Sequence, residues 1–232
     1  MITRWDTSNV TSMNRLFVLQ SAFDENLSEW DVSNVTDFSE TFSGATSFNG
    51  DLSTWNVSNA IKMHYMFCKA VSFNGDLSTW NVGQVDSMRS MFSGAKNFNG
   101  DLSRWNVSSV NDMSCMFYAA WSFNGDLQAW NVSNATTTRA MFNSASSFAG
   151  DLSAWNVSNV TSMEGMFRDA KVFNGDLSTW NVSNVTDMSC MFYQVESFNG
   201  DLSTWSATNT SLHIIILYNV VKFYYQTTTL IH

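Results

Sequence analysis

The chain has 232 residues, a net charge of −9, no Pro, ten Trp, eighteen Phe and three Cys. Its 44% hydrophobic content excludes wholesale disorder, its few Lys and Arg exclude a surface built on phosphate contacts to nucleic acid, and three Cys cannot staple a small secreted domain. No apolar run of roughly 18 residues supports a transmembrane span, and the opening MITRWDTSNV has neither the apolar stretch nor the cleavage site of a signal peptide.

Trp5, Trp30, Trp55, Trp80, Trp105, Trp130, Trp155, Trp180 and Trp205 recur every 25 residues without a slip, and only Trp121 stands out of phase. A fixed period of this length means stacked repeats. Eight coils follow: coil 1 (5–29), coil 2 (30–54), coil 3 (55–79), coil 4 (80–104), coil 5 (105–129), coil 6 (130–154), coil 7 (155–179) and coil 8 (180–204). Positions are numbered from each Trp as 0. Leu152 at the end of coil 6 and Trp155, Val157 and Val160 of coil 7 are expected to point inward, and the period-2 Trp-x-Val core predicts a short parallel strand. The absence of Pro fits such pairing. Thr161-Ser162, like Thr186-Asp187 one coil on, can cap a helix. Met163, Met166, Phe167 and Ala170 then fall at +8, +11, +12 and +15, one face of a helix of two to three turns. A Phe at +18 follows in every coil. Gly50, Gly75, Gly100, Gly125, Gly150, Gly175 and Gly200 at +20 are expected to supply a positive φ for a tight turn. The chain ends in SLHIIILYNVVKFYYQTTTLIH, open to three readings: a β-rich cap, a degenerate extension, or a membrane-proximal anchor.

The string W-(D/N)-V-S-N-V-T-x-M-x-x-M-F-x-x-A-x-x-F-N-x-D-L-S-x resembles the repeat of BspA-like leucine-rich-repeat surface proteins and the related mycoplasma surface-lipoprotein domain of unknown function. The expectation is an α/β solenoid, leucine-rich-repeat-like, of eight 25-residue coils each with a short parallel strand and a short helix. Residues 1–205 would form it, and residues 206–232 an atypical hydrophobic tail or cap. The resemblance implies a cell-surface or secreted module for adhesion or protein binding. Two departures stand out: Val35, Ala60 and Val160 occupy the place of the usual ladder Asn, and neither a leader nor a lipid-attachment Cys is present.

The outward polar columns are the candidate ligand-binding face: Asn56, Asn81, Asn106, Asn131, Asn156 and Asn181, flanked by Thr54, Thr79, Arg104 and Thr179. Repeat proteins use such extended faces for partners, here a protein or a surface glycan; the plainer alternative is that the Asn side chains bond to one another down the stack. Tyr118 and the unphased Trp121, with Lys96 one coil earlier, predict an exposed aromatic patch with a cation over the indole. It would be either a hot spot or an indole lying flat over a seam. Asp51, Asp76, Asp101, Asp126, Asp151, Asp176 and Asp201 are seven of the twenty acids. That column is either a ladder of turn acceptors or, less simply, a calcium ladder through Asp76, Asp101, Asp126, Asp151 and Asp176.

Cys68, Cys115 and Cys190 are too far apart in phase or in coils to pair, and the twelve Asn-x-Ser/Thr sequons are a by-product of the repeat. His64, His213 and His232 are isolated, and no catalytic or cofactor motif is present, so the expectation is a chain without enzymatic activity or cofactor. Open ends would allow end-to-end self-association. The expected function is non-catalytic recognition or adhesion. The alternatives are a structural or calcium-stabilised scaffold and an ice- or glycan-binding lattice.

Overall fold

The computed structural model describes Ile2 and residues 5–205; residues 206–232 and the three readings of that tail lie outside the described residues. Each 25-residue repeat makes one coil, and each coil lies on the next in parallel register. Seven isolated parallel bridges, from Ser12–Asp37 to Ser162–Asp187, tie position +7 of every coil to the same position of its neighbour.

The expected α/β solenoid with a strand and a helix in each coil is not formed. Among the described residues there is no α-helix and no strand longer than a single bridge. A chain of β-turns replaces both. In coil 4, N–H groups donate to the carbonyl three residues back at Trp80–Leu77 (3.1 Å), Val85–Val82 (3.0 Å), Met91–Met88 (3.1 Å), Ala95–Phe92 (3.0 Å) and Phe98–Ala95 (3.1 Å). The first two bonds fold the segment read as Trp-x-Val strand and spend the N–H groups of Trp80 and Val85 within the coil. Asn81 then accepts the Gly83 N–H at 3.1 Å, a local side-chain bond that competes with a ladder.

The segment read as helix is two successive turns, +8 to +11 and +12 to +15. Their corners are Met, Met, Phe and Ala, so turn corners reproduce the i, i+3, i+4, i+7 spacing of a helix face. The distinguishing feature is backbone sign. Positions +10 and +14 have positive φ in all eight coils, from Arg15 (61°) and Leu19 (60°) to Cys190 (58°) and Gln194 (57°). Each lies at the third residue of its turn, where a type II turn needs a left-handed residue. Three of the sixteen are Gly44, Gly94 and Gly165, and none is β-branched, the class for which this region is most strained.

The turn chain has a consequence for stacking. A helix would satisfy its N–H groups within the coil, whereas here alternate ones leave it. Met88, Ser90, Phe92 and Gly94 donate to Asp112, Ser114, Met116 and Tyr118 of the next coil at 3.0, 2.8, 2.9 and 2.6 Å. Spacing gives a second reason against helices. The Phe rings at +12 repeat every 5.5–5.9 Å through all eight coils, whereas packed helices need about 8–10 Å.

The core is a set of columns. Phe at +12 stacks on Phe at +18 of its own coil at 3.9–4.2 Å, and the +18 rings form a second continuous ladder. The Trp rings lie nearly parallel, as at Trp80–Trp105 (6.4 Å, 2°). Each Trp is also a staple: Trp80 Nε1 at the start of coil 4 donates to the Leu52 carbonyl near the end of coil 2 at 3.1 Å, and the pattern continues to Trp205. Fully burying each large side chain stabilises the coil by ~1.5–3 kcal/mol.

The glycines at +20 do not have the expected positive φ. They are needed for space: a Cβ on Gly125 would lie 3.0 Å from the Phe123 ring and 3.5 Å from the Gly100 carbonyl. At the first coil Thr7 replaces the inward Val, and its hydroxyl donates to the Asp31 carbonyl at 2.9 Å.

Candidate functional site

Three outward regions were expected to carry function, and the chain treats them differently. The first is the polar columns. Asn56, Asn106, Asn131, Asn156 and Asn181 are exposed, and each Oδ1 accepts the N–H of the Ser two residues on at 3.1–3.2 Å; Asn81 does the same with Gly83. These Asn therefore cap their own turns and do not bond to one another down the stack. Thr54, Thr79 and Thr179 donate to Ser28, Ser53 and Ser153 carbonyls of the preceding coil at 2.9, 3.0 and 2.7 Å. Arg104 is exposed in the Thr column.

Two further Asn columns link coils directly: the one at +4, a place before the usual ladder Asn, and one at +19 that the sequence did not single out. At +4, Asn59 Nδ2 donates to the Ser33 carbonyl at 2.8 Å, and Gln84 and Ser109 keep the same bond in their coils. The retained hydrogen-bond donors were the visible signal. At +19, Asn74, Asn99 and Asn124 donate their backbone N–H to the Oδ1 of Asn49, Asn74 and Asn99 at 2.8 Å.

The second region is the acidic column. Oδ1 of Asp51, Asp76, Asp101, Asp151 and Asp176 accepts the N–H two residues on at 2.9 Å, as Asp126 does from Gln128. The Ser backbone N–H, then the Ser hydroxyl, hold the carboxyls of Asp51, Asp101, Asp151, Asp176 and Asp201 below the ordinary carboxylate range. At Asp76 the Ser78 hydroxyl is the larger cause. Among the described residues no three His, Cys, Asp or Glu side chains gather as a metal-binding group.

The third region is the turn face, positions +9 to +16. Lys96 Nζ sits 4.1 Å from the centroid of the Trp121 ring. Trp121 is 48% exposed and Tyr118 41%, and the indole meets the preceding coil through the Lys96 side chain. The Tyr118 ring takes no part in the Lys96 contact. One coil earlier Arg89 Nε donates to the Tyr65 hydroxyl at 3.0 Å, a pair the sequence reading did not anticipate. All three Tyr of coils 1–8 and the unphased Trp lie on this face. Cys68, Cys115 and Cys190 are free thiols, and burial pushes the first two up, away from thiolate chemistry.

Charge is uneven along the stack. Coil 3 sets Lys62 and Lys69 against Asp76, and coil 4 sets Arg89, Lys96 and Arg104 against Asp86 and Asp101. No other coil has an excess of cations. Every carboxylate–cation pair among the described residues lies outside these two coils: Arg15–Glu40, Arg139–Glu164, Arg168–Asp169 and Lys171–Glu196. Among the described residues no helix is long and apolar enough to cross a membrane.

A family model described as a Mycoplasma protein of unknown function, DUF285, matches the chain in three overlapping stretches, residues 1–96, 61–149 and 125–229. The tandem repeats are thereby supported, and the mycoplasma part of the resemblance with them. The match does not extend to the BspA-like proteins. No curated protein matches the chain.

Proposed function

The chain belongs to the DUF285 family, whose function is unknown, and from its geometry we propose that it is a non-catalytic binding module of a cell-surface type. One observation carries the reading. The coils are nearly identical in their inward and turn-capping columns, and their individual residues concentrate on the turn face. There the stack holds Tyr65, Arg89, Lys96, Tyr118 and Trp121 at fixed coil-to-coil register. Tyr, Trp and Arg are the residue types that dominate protein interfaces, and a preorganised backbone lowers the ordering cost of binding. The Asn column first considered for binding is engaged in capping its own turns, and the Thr column ties each coil to the one before, which weighs against that face.

Saturable binding of the labelled chain to cultured cells tests the reading. The expected result is binding that is lost after protease treatment of the cells and lost in Tyr118→Ser/Trp121→Ser. Binding that survives both, or that disappears in Asn106→Ser/Asn131→Ser while the turn-face variant retains it, overturns the reading.

A further inference from the structure

We infer that the turn face of coils 3–5 docks an acidic segment of a partner protein, through Lys69, Arg89 and Lys96 flanked by Tyr65, Tyr118 and Trp121. The inference rests on the binding-module reading above and adds the chemistry of the partner.

Charge carries the argument. Across +8 to +16 of coils 3, 4 and 5 there is no Asp or Glu. In a chain of net charge −9, an acid-free stretch with three cations is a local reversal of field. The same face elsewhere does not behave this way, since Arg15, Arg139, Arg168 and Lys171 each meet a carboxylate of their own chain, even though Arg168 also lies 4.7 Å from the Tyr193 ring centroid. In coils 3–5 the cations meet aromatics instead: Arg89 the Tyr65 hydroxyl, and Lys96 the Trp121 ring. Both contacts leave the formal charge uncompensated while fixing its place. Arg89 then has guanidinium donors free for a bidentate carboxylate, and Lys69 is exposed on the previous coil, against Gly94 of coil 4.

The aromatics select the class of partner. Trp121 and Tyr118 offer exposed apolar area next to the cations, which suits a peptide of Glu or Asp interspersed with apolar residues. An anionic glycan would have at most one indole face for a sugar ring, since the Lys96 ammonium covers the other. Polyanions gain nothing from the rest of the molecule, because its remaining charge repels them. Attraction to an acidic probe therefore reports this face and not overall charge.

The experiment uses the full chain and a labelled peptide of alternating Glu and Leu, with alternating Gln and Leu, alternating Lys and Leu, and sialyllactose as comparisons. Fluorescence anisotropy is read at low and at physiological ionic strength, since exposed charges are screened beyond about 8 Å at the latter. The Glu peptide is expected to bind at least tenfold more tightly than the Gln peptide. Lys69→Gln/Arg89→Gln/Lys96→Gln is expected to lose that margin, and Arg139→Gln/Arg168→Gln/Lys171→Gln, an equal change in charge, is expected to keep it. Near-equal melting temperatures of the two triple variants exclude misfolding as the cause. Equal binding of Glu and Gln peptides, equal loss in both triple variants, or saturable sialyllactose binding as tight as the Glu peptide overturns the inference. If the Glu peptide fails while cell binding still requires Trp121, the partner chemistry falls and the binding-module reading stands.

Discussion

Coils 3–5 and coils 6–8 share one backbone and use it differently. Both halves place left-handed residues at +10 and +14, and both align the same Phe ladders. On the turn face they diverge: Arg139, Arg168 and Lys171 each meet a carboxylate, Arg168 lying over the Tyr193 ring as well, whereas Arg89 and Lys96 meet aromatics and no carboxylate. Exposed ion pairs stabilise by only about 0–1 kcal/mol, so the difference is not one of fold. It shows that the column residues fix the coil, after which the outward turn positions can vary without cost to the stack. In such an array the informative residues are the departures from the column.

If the backbone is shared, matched strain must cost the same in both halves. Ala119 in coil 5 and Ala140 in coil 6 both have a φ of 51°. Ala119→Val and Ala140→Val are each expected to destabilise by about 1–3 kcal/mol, the scale of a strained left-handed residue, while the Gly variants should melt no lower than the parent. Denaturant melts decide it. Ala119 stands at +14 and Ala140 at +10, so a Val tolerated at one site and not at the other would show that the two turns of the coil do not carry equal strain.

The interiors differ most sharply at +8, where one coil buries a hydroxyl. Coil 6 has Thr138 at +8, where coils 3, 4, 5, 7 and 8 have Met. Thr138 is fully buried, and its hydroxyl has no hydrogen-bond partner. Thr41 in coil 2 is equally buried, but its hydroxyl reaches the Phe38 and Met13 carbonyls at 2.7 and 3.0 Å. An orphaned buried hydroxyl costs about 1–3 kcal/mol, so Thr138→Met should raise stability on that scale. Thr41→Met should lower it, since that site already holds the larger Phe38 beside it. Equal effects from the two would sink this account.

The columns were legible because their spacing is exact in sequence: every Trp and Phe of the ladders is where the 25-residue period put it. The Lys96–Trp121 contact was legible for the same reason, as two residues at one phase in adjacent coils. Secondary structure was not, because two four-residue turns bury the same four corners as one helix face. Only the sign of φ at +10 and +14 separates the two, and Arg, Glu, Tyr, Lys and Ala at those positions do not advertise it. The glycines at +20 misled in the opposite sense: a residue type suited to positive φ was present for close packing. The +4 Asn, such as Asn59 and Asn159, stand one place before the usual ladder position and yet bond from coil to coil, and the +19 Asn act through backbone N–H donors that no residue type reveals.

The +19 ladder offers a milder test. It runs unbroken from Asp24 to Asn124, then coil 6 places Ala149 in it, which can donate to Asn124 but offers nothing to Asn174. Ala149→Asn should close the gap and add about 0.5 kcal/mol, the low end for a net hydrogen bond at an exposed site. Asn99→Ala should remove a similar amount from coil 4. A melt unchanged by both would make the ladder a bystander.

The smallest effect concerns acid, and it too separates the halves. A carboxyl held below its unfolded value of about 3.9 takes up protons less readily in the folded chain. As the pH falls the unfolded state gains protons first, and stability drops. The contribution of the Asp column is thus complete above about pH 4 and is lost as the pH falls through the lower folded values. Asn26 occupies the Asp position in coil 1 and accepts the Ser28 N–H at 2.9 Å, so an amide can serve the turn. Asp101→Asn and Asp176→Asn should therefore melt like the parent near pH 7 and lose less on acidification. They should not be equal. The turn bonds lower both carboxyls, but Arg104 lowers Asp101 further, whereas Asp151 and Asp201 push Asp176 back up. Asp101→Asn should remove the larger share of the acid dependence. An equal change, or a larger one at Asp176, would mean that the cation excess of coil 4 does not reach its own acidic column.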